Sequence, residues 1–221
     1  MNHINGLIAA PFTPFENSGE LKLEIVEKQV KFLVEHNVRG AFIGGTTGEG
    51  MSLTIDERKR LAERWKEISP DDFKVIIQCG HASLAACKEL AEHAGNIGAY
   101  AIGAMGTVFH KPSTVEDLVS FTAELASVNP DLPFYYYHIP SMTGLDFPMI
   151  EYLELSSGQI PNLAGIKFTH NDLIDFKLCR EFEDSKYDML YGRDETLLCG
   201  LVLGAKGAIG STYNYSLYIY H

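Results

Sequence analysis

The sequence predicts an α/β protein in which eight parallel strands close into a (β/α)8 TIM barrel. Three observations carry this. Short apolar runs alternate with amphipathic stretches along the whole chain, the pattern of parallel strands joined by helices. Roughly eight runs can be marked with about seven helical stretches between them, which favours a closed barrel over an open doubly wound sheet. No G-x-G-x-x-G follows an early strand, so the signature of a dinucleotide-binding fold is missing.

The elements follow in order. Residues 7–10 form the first strand, and 21–36 a helix with Leu21, Ile25, Val26, Val30, Leu33 and Val34 on one broad apolar face. The strand 41–43 runs into a glycine-rich turn. Thr54 caps the next helix, and Glu57 completes a capping box. A strand at 75–77 precedes a helix at 83–93, and a strand at 100–102 precedes a helix at 114–127 with acidic Glu116 and Asp117 in its first turn. The pattern continues with strand 134–138, short helix 148–155, strand 163–167, helix 172–182, strand 189–191, helix 195–203 and strand 207–210. No linker or composition break divides residues 1–221, so one domain is expected. Only the tail YNYSLYIYH follows the last strand, whereas such a barrel takes about 250 residues. The expectation is a barrel lacking its eighth helix and any C-terminal helical extension, the product of a truncated isoform or an incomplete gene model.

Composition narrows the function. The 221 residues are 46% hydrophobic and 21% charged, ordinary for a globular protein. Eighteen basic against 29 acidic residues give a net charge of −11, which argues against nucleic acid or an anionic membrane as partner. An anionic substrate would meet an opposing global field, so a local site must attract it. The N-terminus has no secretory pattern, and no run of 18 apolar residues suggests a membrane span. Cys79, Cys87, Cys179 and Cys199 form no C-x-x-C pair and have no histidines clustered near them. They read as reduced thiols of a cytoplasmic protein, with no metal site.

In such barrels the active site lies at the carboxyl ends of the strands. The segment Gly44-Gly45-Thr46-Thr47-Gly48-Glu49-Gly50 stands there. Its hydroxyls and N–H groups suit a carboxylate, though a plain strand-to-helix turn would read the same way. It is not a phosphate-binding P-loop, since no lysine follows the last glycine. In Phe134-Tyr135-Tyr136-Tyr137-His138 the side chains alternate, so Tyr135 and Tyr137 share one face, and His138 turns away if Tyr137 faces in. Core packing is the competing role for these rings. Lys167 ends an apolar strand. Lysine is rarely buried without a task, and desolvation favours its neutral, nucleophilic amine; the alternative is a side chain that snorkels out to water. Lys206 precedes a strand and so belongs to the opposite rim. Thr169, the run Gly192-Arg193-Asp194-Glu195 and Ser211-Thr212 add polar groups at strand ends. They suit a polyol, while Asp194 also suits a helix cap.

The motifs GTTGE, YYYHIP, GIKFT, YGRDE and GAIGSTYN occur in this order over nearly the whole chain. Together they resemble the N-acetylneuraminate lyase and dihydrodipicolinate synthase superfamily, and within it the animal-type N-acetylneuraminate lyases. The synthases usually carry an arginine soon after the motif proline; here Ser141-Met142-Thr143-Gly144 follows. The resemblance implies a class I aldolase that splits a sialic acid reversibly into pyruvate and N-acetylmannosamine, with no metal or added cofactor. It implies Lys167 as the imine-forming residue and Tyr137 as the proton relay. Thr46 and Thr47 would bind the substrate carboxylate, and Thr169, Gly192, Asp194, Glu195 and Ser211 the sugar portion. It further implies a cytoplasmic homotetramer in the full-length form. Where the family often has a Pro-Phe-aromatic stretch, this chain has Gly106-Thr107-Val108-Phe109-His110-Lys111-Pro112, so the resemblance does not imply the neighbouring-subunit contact often made from that loop. Two other readings remain open: an aldolase for another 2-keto-3-deoxy sugar acid, and a truncated non-catalytic subunit.

Overall fold

The computed structural model describes residues 3–220. Among these, eight parallel strands pair in chain order and the eighth returns to the first, closing a barrel. They are β1 (Gly6–Ala9), β2 (Gly40–Ile43), β3 (Lys74–Gln78), β4 (Ala101–Ala104), β5 (Phe134–His138), β6 (Leu163–Phe168), β7 (Asp188–Tyr191) and β8 (Gly207–Gly210). The outer layer comprises α1 (Glu24–Glu35), α2 (Ile55–Ile68), α3 (Leu84–Asn96), α4 (Val115–Ala126), α5 (Pro140–Thr143), α6 (Met149–Ser156), α7 (Leu173–Ser185) and α8 (Leu197–Val202).

Strand alternation sorts the apolar residues into two cores. Ile8, Phe42, Ile76, Tyr135, Tyr137, Leu190 and Ile209 fill the barrel. Ala9, Ile43, Val75, Ile102, Tyr136, Ile166 and Tyr191 face the helices. The bottom is sealed by buried Asp188, whose Oδ2 accepts from Tyr135 Oη and Ile4 N, each at 2.9 Å. Lys206 lies at that rim, beside a hollow shared with His3, Arg39 and Lys74.

Local signals set the helix starts. Thr54 Oγ1 accepts from Glu57 N at 3.2 Å, and Glu57 Oε2 accepts from Thr54 N at 2.8 Å, closing the expected capping box. Thr114 makes the same box with Asp117. Helix α5 was not expected: Pro140 opens it and Gly144, at φ 65°, ends it. The regular part of α7 stops where the sequence places it, since Phe182 is extended and Glu183 and Asp184 have φ of 45° and 54°. The helix expected over 195–203 divides into a 3-10 turn at Asp194–Thr196 and the six-residue α8.

Beyond β8 the described residues form two 3-10 turns, Thr212–Asn214 and Leu217–Ile219, and no α-helix. Tyr213 and Leu217 cover part of the barrel wall. A hollow lined by Leu7, Leu197, Leu201, Ala208 and Tyr220 remains open against the outer side of β1 and β8. No helix among the described residues is long and apolar enough to cross a membrane.

Candidate active site

Lys167 enters the barrel because β6 contains an irregularity. Phe134 pairs with Leu163, but Tyr135 pairs with Gly165, so Ala164 is an extra residue opposite β5. Ala164 belongs to the interior cluster, whereas Ile166 and Phe168 belong to the outer one. The bulge shifts the phase of the strand, and Lys167 therefore points inward. It pairs with Tyr137 across β5 and β6. Its Nζ lies 3.8 Å from the Tyr137 ring centroid and 4.1 Å from that of Phe42.

Lys167 is 4% exposed. Burial pushes its pKa down to about 7, against the opposing pull of the Asp194 charge. A shift of that size weighs about 5 kcal/mol against the ammonium. Contact with two ring faces favours the charged form by only about 0.5–2 kcal/mol, so desolvation wins. Near neutral pH a large share of the amine is unprotonated and nucleophilic.

Tyr137 Oη lies 3.2 Å from Thr46 Oγ1. Burial raises the phenol's pKa, with the Thr46 hydroxyl opposing, so it carries its proton at neutral pH. The turn that positions Thr46 depends on glycine. Gly44 has φ 68°, and a Cβ on Gly50 would lie 1.9 Å from Gly44 O. Thr47 follows, half-buried. Beside Thr46 opens a cavity of about 320 Å³ that Gln78, Met105, Val108 and Met142 also line.

On the other side of Lys167 stand the polar strand ends of β6, β7 and β8. Thr169 Oγ1 is buried beside the Tyr137 hydroxyl, whose pKa it lowers as Thr46 does, and it packs so near Gly192 that a Cβ there would sit 2.0 Å from it. Asp194 does not cap the helix after it. Its Oδ2 accepts from Thr212 N at 2.7 Å and from Ser211 Oγ at 3.4 Å, tying the end of β7 to the end of β8. Burial would raise its pKa, but the hydrogen bonds from Thr212, its own backbone and Glu195 together outweigh burial and hold it below the ordinary value. Glu195 is exposed, with Arg193 Nε 3.9 Å from its carboxylate.

Thus Thr46, Tyr137 and Lys167 form one connected set, Thr169 links it to Gly192, and the Asp194–Ser211 pair acts on Lys167 through the Asp194 charge; Thr47 and Glu195 are the chain neighbours of Thr46 and Asp194. His138 lies outside the set. It is buried among Tyr136, Phe168 and His170 on the outer side of the barrel, and burial lowers its pKa to about 3. Phe42 and Gln78 are two site residues that the sequence reading passes over. Gln78 had a signal, being a polar residue directly after the apolar run 75–77, at a strand's carboxyl end. Among the described residues no group of three or more His, Cys, Asp or Glu is placed to hold a metal ion.

Comparison with known proteins places this geometry in a family. Residues 3–220 match the model of the dihydrodipicolinate synthetase family. The chain is 46% identical over 214 residues to N-acetylneuraminate lyase A of Xenopus laevis, covering 96% of this chain and 70% of that protein. The solved Proteus mirabilis N-acetylneuraminate lyase superposes with a TM-score of 0.97 at 42% identity, covering 99% of this chain and 74% of that one. A Ruminococcus gnavus sialic acid aldolase, solved as a catalytic lysine mutant, superposes at 0.89 with 26% identity, covering 95% of this chain and 68% of that one. The chain is a member of the dihydrodipicolinate synthetase family, a lyase that groups with the N-acetylneuraminate lyases within it.

Proposed function

We propose that this chain is a class I aldolase that cleaves N-acetylneuraminate to pyruvate and N-acetylmannosamine through an imine on Lys167. The observation that carries the proposal is the buried Lys167 amine of lowered basicity, 3.8 Å from the Tyr137 ring centroid. The catalytic lysine of the Ruminococcus gnavus enzyme supports it. The neutral Lys167 amine attacks the C2 ketone, and loss of water leaves an iminium. Breaking the bond between the α and β carbons sends its electron pair into that iminium, giving an enamine. The β-hydroxyl gives up its proton and leaves as the aldehyde of N-acetylmannosamine. Protonation of the enamine and hydrolysis then release pyruvate and restore Lys167.

Tyr137 relays the proton. Its phenol is protonated at rest, so it acts as a shuttle between Thr46 and the substrate, not as a standing base. Thr46 and Thr47 receive the carboxylate. Thr169, Gly192, Asp194, Glu195 and Ser211 face the polyol. The ionised Asp194 accepts sugar hydroxyls while Thr212 fixes it. No added cofactor enters the scheme, and a cytoplasmic homotetramer of the full-length form is the setting that the motif resemblance implies.

Turnover of N-acetylneuraminate, read as pyruvate released, tests the proposal. A panel of 2-keto-3-deoxy sugar acids separates it from the neighbouring reading, because groups around the polyol, not Lys167, set that choice. Glu195 is exposed and loosely paired, so it is the position at which another sugar acid would be admitted. Faster turnover of a different acid would transfer the proposal to that substrate.

A further inference from the structure

A guanidinium stands buried behind Gln78, which lines the cavity beside Thr46, with no acid paired to it among the described residues. Arg58, in the first turn of α2, is 5% exposed. Burial lowers its pKa, and no carboxylate among the described residues is close enough to oppose that. Its nitrogens donate to three oxygens: Gly80 O at 3.1 Å, Gln78 O at 2.5 Å and Gln78 Oε1 at 3.0 Å. A guanidinium only donates and stays charged in proteins. The Gln78 atom turned toward it is therefore the oxygen, and the amide nitrogen is directed away.

Gln78 is 2% exposed. Its neighbour two places back, Ile76, lies in the barrel interior, so Gln78 is on the inner face at the carboxyl end of β3. It lines the cavity that Thr46 lines. Its Nε2 has no acceptor among the described residues. That nitrogen is not sealed off by protein atoms, so its hydrogens are open to an acceptor in the cavity.

We propose that Gln78, oriented and polarised by Arg58, donates its Nε2–H to the carboxylate of the 2-oxo acid substrate. The pair supplies the local attraction that an anion needs in a chain of net charge −11. The chain of donors from Arg58 through the carboxamide strengthens the outermost hydrogen bond, because each bond polarises the next. Gln78 touches substrate, and Arg58 is a positioning residue that acts through it. The inference rests on the aldolase reading above.

The test is borohydride trapping on the full chain, titrated with pyruvate and with hydroxyacetone, a ketone without a carboxylate. Adduct on the Lys167 peptide is read by mass spectrometry. For Gln78→Ala the half-saturating pyruvate concentration rises about tenfold, the loss of one hydrogen bond to a charged group. For Gln78→Glu, which keeps the shape but adds a like charge, it rises further. Arg58→Lys, which keeps the charge but loses the fork, falls between wild type and Gln78→Ala. Half-saturation by hydroxyacetone moves by less than about twofold throughout. Should both ketones shift by the same factor, or pyruvate not shift, the pair only cements α2 to β3 and the proposal is overturned. Gln78→Glu carries the test if Gln78→Ala fails to fold. If wild type traps no pyruvate on Lys167, the aldolase reading fails first and this inference falls with it.

Discussion

Lys167 and Tyr137 face each other across the β5–β6 pair, the lysine Nζ 3.8 Å from the tyrosine ring centroid. The one-residue bulge at Ala164 makes this possible. It places an amine with almost no water around it beside a phenol whose hydroxyl reaches Thr46. The predictions below follow from that pairing and its surroundings.

The amine's protonation sets the pH profile. Lys167 has its pKa lowered to about 7 by burial, with Asp194 pulling the other way. The rate of pyruvate trapping should therefore climb as pH rises through about 7 and level off above it. Asp194→Asn keeps an acceptor for Thr212 N but removes the charge that favours the ammonium. The midpoint should move to lower pH in this variant, as rapid-quench trapping across a pH series would reveal. A midpoint that stays put or moves upward contradicts the assigned coupling.

Removing the Tyr137 hydroxyl separates imine formation from bond cleavage. Tyr137→Phe keeps the ring against Lys167, so pyruvate trapping should persist. Turnover should drop by about 10²–10⁴-fold, the usual contribution of a positioned proton-transfer group. Parallel assays of trapping and steady-state cleavage measure the two. Equal losses in both would assign Tyr137 a structural role only.

Burying Lys167 costs stability, and the cost depends on pH. Its folded pKa is about 7, against roughly 10.4 in the unfolded chain. Between these values the unfolded state binds the extra proton, so unfolding free energy rises with pH. Below the lower value both states are charged and the full penalty stands. Lys167→Met should therefore stabilise the chain at neutral pH by about 1–4 kcal/mol, with the gain shrinking toward the upper end of the window. Calorimetric melting at neutral and alkaline pH checks this, and a variant less stable than wild type at neutral pH would refute it.

The outer surface carries a liability of its own. Ile174, Leu198 and Val202 are 75%, 73% and 78% exposed, and with Leu173, Leu178 and Leu203 they line an apolar groove between α7 and α8. Contiguous apolar surface of this kind drives association. The chain should self-associate in light scattering. Leu198→Lys with Val202→Lys should raise the monomer fraction while shifting stability by only about 0.5 kcal/mol per site. No change in association would show that the groove is inert.

Much of the fold is legible in the sequence because its signals are local. The strand and helix alternation, the Thr54–Glu57 box and the inward face shared by Tyr135 and Tyr137 all depend on residues a few places apart. The candidate site is legible in its composition, since the strand-end rule picks out Thr46, Tyr137, Lys167 and Asp194. Its wiring is not. The phase of Lys167 depends on a bulge set by register against β5, and strict alternation from Ala164 would have turned the lysine outward. Asp194 suits a helix cap in sequence, yet its partner is Thr212 on the next strand. Gln78 stands at a strand end, but only the packing of α2 on β3 joins it to Arg58. Each of these relationships links separate elements that local patterns cannot align.

The most direct test is to reduce the protein with borohydride in the presence of pyruvate, digest it, and locate the adduct. The account predicts a reduced pyruvate adduct on the peptide bearing Lys167, absent from Lys167→Ala and formed faster above neutral pH than below it. An adduct that persists in Lys167→Ala at wild-type yield, or none in the wild-type chain, would contradict it.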